Sequence, residues 1–203
     1  MRQPGWGALL GEMIIRRGCL TQLNPELWQP SIPGARATDD DLRAAEVGLG
    51  RPLDAQHREL LLEGDGWQDG FGWGDLLRAD QIGTGETWTR TLEFLDNLYA
   101  APGDDLPHRS GLCPVLVGDE DVVAIDLDGP LTEGGHPVYR FDPAGVVDQW
   151  PNMRQYWLAQ LTTLNRLIER EVSRTVRART ATREARPGSA AWAASREALL
   201  CRD

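Results

Sequence analysis

The chain contains no lysine: all 21 of its basic residues are arginine. That excludes a Walker A lysine, a Schiff-base lysine and a lysine general base. Only three cysteines are present, Cys19, Cys113 and Cys201, widely separated and with no Cys-x-x-Cys pair. A disulfide framework and a zinc knuckle are therefore not expected, and a reducing cytoplasm is the natural compartment. The three histidines, His57, His108 and His136, have no metal-ligand spacing. No apolar run approaches membrane-spanning length. The first residues do not read as a signal peptide, because Arg2 is their only early basic residue and Glu12 interrupts the apolar run. No internal repeat is visible.

What is present is an acidic chain of 203 residues, long enough for one domain with extensions and a core that needs no disulfides. Charge is uneven along it. Residues 1–165 hold 26 acidic residues against 12 arginines, a net −14; residues 166–203 hold 5 against 9, a net +4. The acidic body disfavours direct contact with nucleic acid and suits a basic protein partner, or serves only solubility. Eight tryptophans are many for this length. Trp67, Trp73, Trp150 and Trp157 fall on elements expected to face the core, with Trp73 the favoured exception at an interface.

The most specific stretch runs from Ala45 to Gly74, AEVGLGRPLDAQHRELLLEGDGWQDGFGWG. It is entered through Thr38-Asp39-Asp40-Asp41, a capping-box pattern whose acids also suit the positive end of a helix. Leu42, Ala45 and Leu49 then mark a short amphipathic helix, with Gly48, Gly50 and Pro52 to stop it. Leu53 and Asp54 read as a staple position and N-cap for a second helix, on which Leu53, His57, Leu60 and Leu61 share one face. Gly64 and Gly66 are expected to end it in positive-φ conformations. Trp67 to Gly74 then reads as a strand, with Phe71 and Trp73 on one side and a bare side at Gly70, Gly72 and Gly74.

This stretch, with the later strands CPVLVGDEDVVAIDLDGPLTEGGHPVYRFDPAGVVDQW, resembles the SMI1/KNR4 family of the SUKH superfamily over about Asp39 to Leu161. Glu46, Leu49, Gly50, Leu53, Leu60, Leu61, Asp65 and Gly66 fall on the family's opening signature. His57 stands where the family usually has tyrosine, and Asp65 where it often has asparagine. The matching residues are structural, so the resemblance speaks to fold more than to activity. It implies an α+β domain and, for bacterial members, an immunity protein that binds and neutralises a toxin, often a nuclease.

Outside that stretch, Trp6, Leu9, Leu10, Met13 and Ile14 predict a helix ended by Gly18, and Cys19 to Ala37 an irregular arm pinned by Trp28. Trp88, Leu92, Leu95 and Tyr99 predict another helix. Pro114–Val117 with Val122–Leu127, and Pro137–Phe141 with Val146–Trp150, predict two hairpins. Met153, Trp157, Leu161, Leu164 and Ile168 stripe a last helix from Asn152, extended weakly by Val172 and Val176. From Arg179 to Asp203 an arginine-rich, mostly disordered tail is expected, with a short helix around Trp192 to Leu200. The whole divides into an N-terminal helix and arm (1–37), a SUKH-like domain (38–165) and a helical extension with its tail (166–203). The fold class is α+β, an antiparallel or mixed sheet with helices packed on it.

No catalytic constellation stands out, and neither a cofactor nor a resident metal is expected. Gly64-Asp65-Gly66 with Gly70 has the wrong spacing for a phosphate loop, and Asp65 and Asp69 would repel phosphate. Asp119, Glu120, Asp121, Asp126 and Asp128 form a carboxylate cluster that reads as a partner-facing edge, a solvated loop or a hard-cation site. Trp73 and Asp75 are a second group of candidate contacts. The favoured reading is a non-enzymatic, cytoplasmic immunity protein whose acidic surface takes a basic toxin. A scaffold or regulatory module of the same fold is the alternative, and a metal-dependent enzyme using the same carboxylates the third.

Overall fold

The computed structural model describes residues 4–71, 73–100 and 106–184, with side chains up to Arg177. Helix α1 spans Trp6–Leu23, α2 Asp39–Leu49 and α3 Ala55–Leu61. Strand β1 (Gly74–Leu76) and α4 (Gly85–Ala100) follow, then β2 (Leu112–Gly118), β3 (Val122–Asp126), β4 (Val138–Asp142), β5 (Gly145–Trp150) and the long α5 (Met153–Glu184). The strands lie in the order β1-β2-β3-β4-β5, each antiparallel to its neighbour. This is the α+β class expected from helices flanking consecutive hairpins.

Helices cover both faces of the sheet, which explains why β3 is apolar on both sides. Val123 and Ile125 face a large core shared with α1, α3 and α5. Val122 and Ala124 face a smaller cluster with Leu95 of α4, Leu112 and Phe141. A strand covered on both faces loses the alternation of a half-exposed strand. Pro114 has no N–H to give the ladder; it sits beyond the end of β1 and beside a register shift between Pro114 and Leu116.

The helix boundaries follow local chemistry. Thr38 closes the predicted capping box with Asp41, and Gly50 takes a left-handed φ of 76° after α2. Asp54 caps α3 by accepting the N–H groups of Gln56 and His57 at 2.9 and 3.0 Å. Asn152 caps α5 through Gln155 N–H at 3.0 Å and ties that cap to the β3–β4 loop by donating to Thr132 O.

Several sequence expectations are corrected. Gly18 does not end α1, which continues to Leu23; an added Cβ there meets nothing, so the glycine costs helix entropy without blocking it. The arm therefore starts five residues later than Cys19, and Trp28 is buried within it. Of Gly64 and Gly66 only Gly66 has a positive φ, of 72°. Residues 67–71 and Trp73 are not a strand. Trp67 pairs with Leu76 through two 3.0 Å hydrogen bonds, and the chain between them turns.

The turn is anchored from α1. Arg17, 1% exposed, donates from Nη2 to Asp69 Oδ2 at 2.8 Å and to Asp69 O at 3.0 Å, and its guanidinium lies 4.8 Å from the Trp28 ring centre. Asp69 itself takes a positive φ of 50°. Phe71 is driven inward, packing edge-on to Trp157 at 5.3 Å. The tail expected to be mostly disordered from Arg179 is helical through Glu184; the helix expected around Trp192 lies outside the described residues.

Candidate protein-interaction surface

The five carboxylates that are near neighbours in sequence divide between the two ends of β3. Asp119, Glu120 and Asp121 form the β2–β3 turn, while Asp126 ends β3 and Asp128 lies beyond it. At about 3.3 Å per residue the two groups stand roughly 17 Å apart, so they cannot converge on one ion. Among the described residues no three His, Cys, Asp or Glu side chains are placed to hold a metal.

At the far end, Asp126 and Asp128 are occupied. Asp126 is buried and accepts the Asp128 N–H at 3.2 Å. Asp128 takes Arg51 Nη2 at 2.8 Å, and the same nitrogen donates to Leu127 O. The Arg51 hydrogen bond holds the Asp128 carboxyl below the ordinary carboxylate range. Gly111 lets both acids approach the backbone: a Cβ there would lie 2.6 Å from Asp126 Oδ1 and 2.8 Å from Asp128 Oδ2. These two acids hold the hairpin end together, and that role accounts for their conformation.

The turn end is different. Asp119 and Glu120 are exposed and make no ion pair among the described residues. Asp121 pairs with Arg140 Nη2 at 2.7 Å, and the Arg140 guanidinium lies 5.0 Å from the centre of the Trp73 ring. The Trp73 backbone and ring edge lie close over Gly118, where a Cβ would sit 2.5 Å from Trp73 O and 3.1 Å from Cε3. Asp75 is exposed and accepts the Asp69 N–H at 2.7 Å. Asp69, Trp73, Asp75, Arg90 and Asp119 line a cleft of about 330 Å³ floored by Gly74, Val117 and Gly118. The fold thus brings Trp73 and Asp75 beside Asp119 and Asp121, although more than forty residues separate the two groups in sequence.

One polar arrangement has no counterpart in the sequence reading. Asp54, whose side chain is fully buried, caps α3 with Oδ1 and uses Oδ2 to accept both the N–H and Nδ1 of His136, at 2.9 and 2.8 Å. The cap was legible; the second partner, eighty-two residues on, was not. The bond ties the start of α3 to the approach to β4. Beside it, His57 is fully buried and neither ring nitrogen has a partner among the described residues. Burial depresses it to about 4, opposed by the charge of Asp54. Burial also pushes the Cys113 thiol up to about 12, which keeps it an unreactive apolar group.

No family model matches the chain, and a search of curated proteins found no match. Among the described residues no helix is long and apolar enough to cross a membrane.

Proposed function

We propose that this protein is a non-enzymatic immunity protein that binds and neutralises a basic toxin of the nuclease kind through the acidic cleft at the turn end of the sheet. The observation that supports this reading is the meeting of unpaired Asp119 with Asp75 and Trp73 around one cleft. Carboxylates draw a basic surface in, and the half-buried Trp73 ring beside them adds aromatic contact area of the kind enriched at interfaces. The net charge of −10 adds long-range attraction of the same sign. The α+β sheet also agrees with what the SMI1/KNR4 resemblance implies. Inhibition is stoichiometric occupation, with no turnover, and a cytoplasmic location goes with it.

The test is titration of a candidate basic nuclease toxin with the purified protein, following both complex formation and nuclease activity. A one-to-one complex that silences the nuclease, and that weakens in a D75N/D119N variant, is the expected result. Full nuclease activity at every ratio, for toxins from the gene's own neighbourhood, would overturn the reading.

A further inference from the structure

Beyond Leu164, α5 runs on with one face occupied and the opposite face made of arginine. Arg166, Arg170 and Arg174 follow at intervals of four, and Arg177 three residues later, so all four project from one side. At about 1.5 Å per residue their positions repeat roughly every 6 Å over about 17 Å. The other side is held: Leu167 and Ile168 pack against the main core, and Glu171 accepts from Asn24 Nδ2 at the end of α1. The arginine side points away from the body.

These guanidiniums differ from most of the others among the described residues, Arg90 excepted. Ten arginines before residue 166 have a carboxylate within 4.0 Å. Arg166, Arg170 and Arg177 have none among the described residues, and Arg174 has only a 3.8 Å contact to Glu171 while 73% exposed. Two acids, Glu169 and Glu171, are interleaved with them in sequence, and Glu171 is also taken by Asn24. A chain of net −10 thus carries a row of arginines that, among the described residues, have almost no acidic partner, on a helix face fixed from behind.

We infer that this face docks an acidic helical segment of a partner protein. Acids at every fourth position of such a helix repeat at the same spacing of about 6 Å, so ion pairs form rung by rung, as between flanking positions of paired helices. Nucleic acid fits less well. Duplex DNA carries a charge every ~1.7 Å, and a duplex lying along α5 would continue past the −14 body. A second copy is disfavoured because two molecules of −10 repel. The inference is independent of the toxin reading, which uses the other sign of charge on another surface.

The experiment uses the full chain and a fluorescein-labelled helical peptide with glutamate at every fourth position, followed by anisotropy. Saturable binding is expected that weakens about tenfold in R166E/R170E/R174E, and by a similar factor as salt rises from about 50 to 300 mM. An R36Q/R43Q variant, whose arginines are already paired, should bind as the wild type does. The milder R166Q/R170Q/R174Q variant repeats the measurement should the charge reversal disturb folding, which circular dichroism reports. Absence of binding, or equal binding by the stripe variants, would overturn the inference. So would tighter binding to RNA or duplex DNA than to the peptide, or a salt-sensitive dimer in sedimentation of the protein alone.

Discussion

The Arg140 guanidinium holds Asp121 at 2.7 Å with one nitrogen while stacking 5.0 Å from the Trp73 ring centre. It therefore joins β4, the β2–β3 turn and the loop entering β1, three segments that form the turn end of the sheet. Arg140 faces this side because it pairs with Val123 across the strands, and Val123 faces the main core. Both partners are partly exposed, so the ion pair alone contributes at most about 1 kcal/mol. A double-mutant cycle of Arg140→Ala and Trp73→Leu should return a coupling of about 0.5–1 kcal/mol by denaturant unfolding. Additive single effects would show that the stack contributes nothing.

Acid should destabilise the fold through His57. Its value is depressed from 6.5 to about 4 in the fold, so between those pH values the unfolded chain binds a proton that the native state does not. Stability from this group is complete above pH 6.5, falls as pH drops through the window and levels off below 4, a total of about 3 kcal/mol. A His57→Phe variant removes the group. Between pH 7 and 4.5 the wild type should lose about 2–3 kcal/mol more than the variant in urea unfolding. Parallel pH profiles for the two proteins would mean that His57 titrates normally.

Leu61 is fully buried at the end of α3, within the main core. Leu61→Ala should cost about 2–5 kcal/mol, from lost transfer energy and the cavity left behind. Chemical denaturation of the two proteins decides, and a difference within measurement error would mean the site collapses around the smaller side chain.

Neutralising the turn (Asp119→Asn, Glu120→Gln) should slow association with a basic toxin mainly at low salt, since the field of exposed charges reaches about 8 Å at physiological ionic strength. Asp121→Asn should act differently, because Asp121 is engaged with Arg140 and its loss also loosens Trp73. Stopped-flow association and dissociation rates across a salt series separate the two. Unchanged rates for the double variant at every salt would remove the turn from the interface.

Sequence pattern by itself determined the elements whose cause is local. The capping box at Thr38, the cap at Asp54 and the glycine after α2 are each satisfied within a few residues, so spacing was enough to place them. The two hairpins followed from turn residues between apolar runs, and the α+β class followed from their order. Tertiary structure decided what local pattern cannot hold. Residues 67–73 have the aromatic and glycine content of a strand, yet a buried arginine fifty-two residues earlier pulls Asp69 into a turn, and two backbone bonds to Leu76 close it. Asp126 and Asp119 look like members of one cluster in the sequence, but a strand between them sends them to opposite ends of the sheet. Trp73 and Asp75 join Asp119 only because β1 pairs with β2, aligning Gly74 with Gly118 and Asp75 with Val117. Pairing register is a long-range property: it is chosen by which faces the two cores bury, and no window of neighbouring residues contains that information.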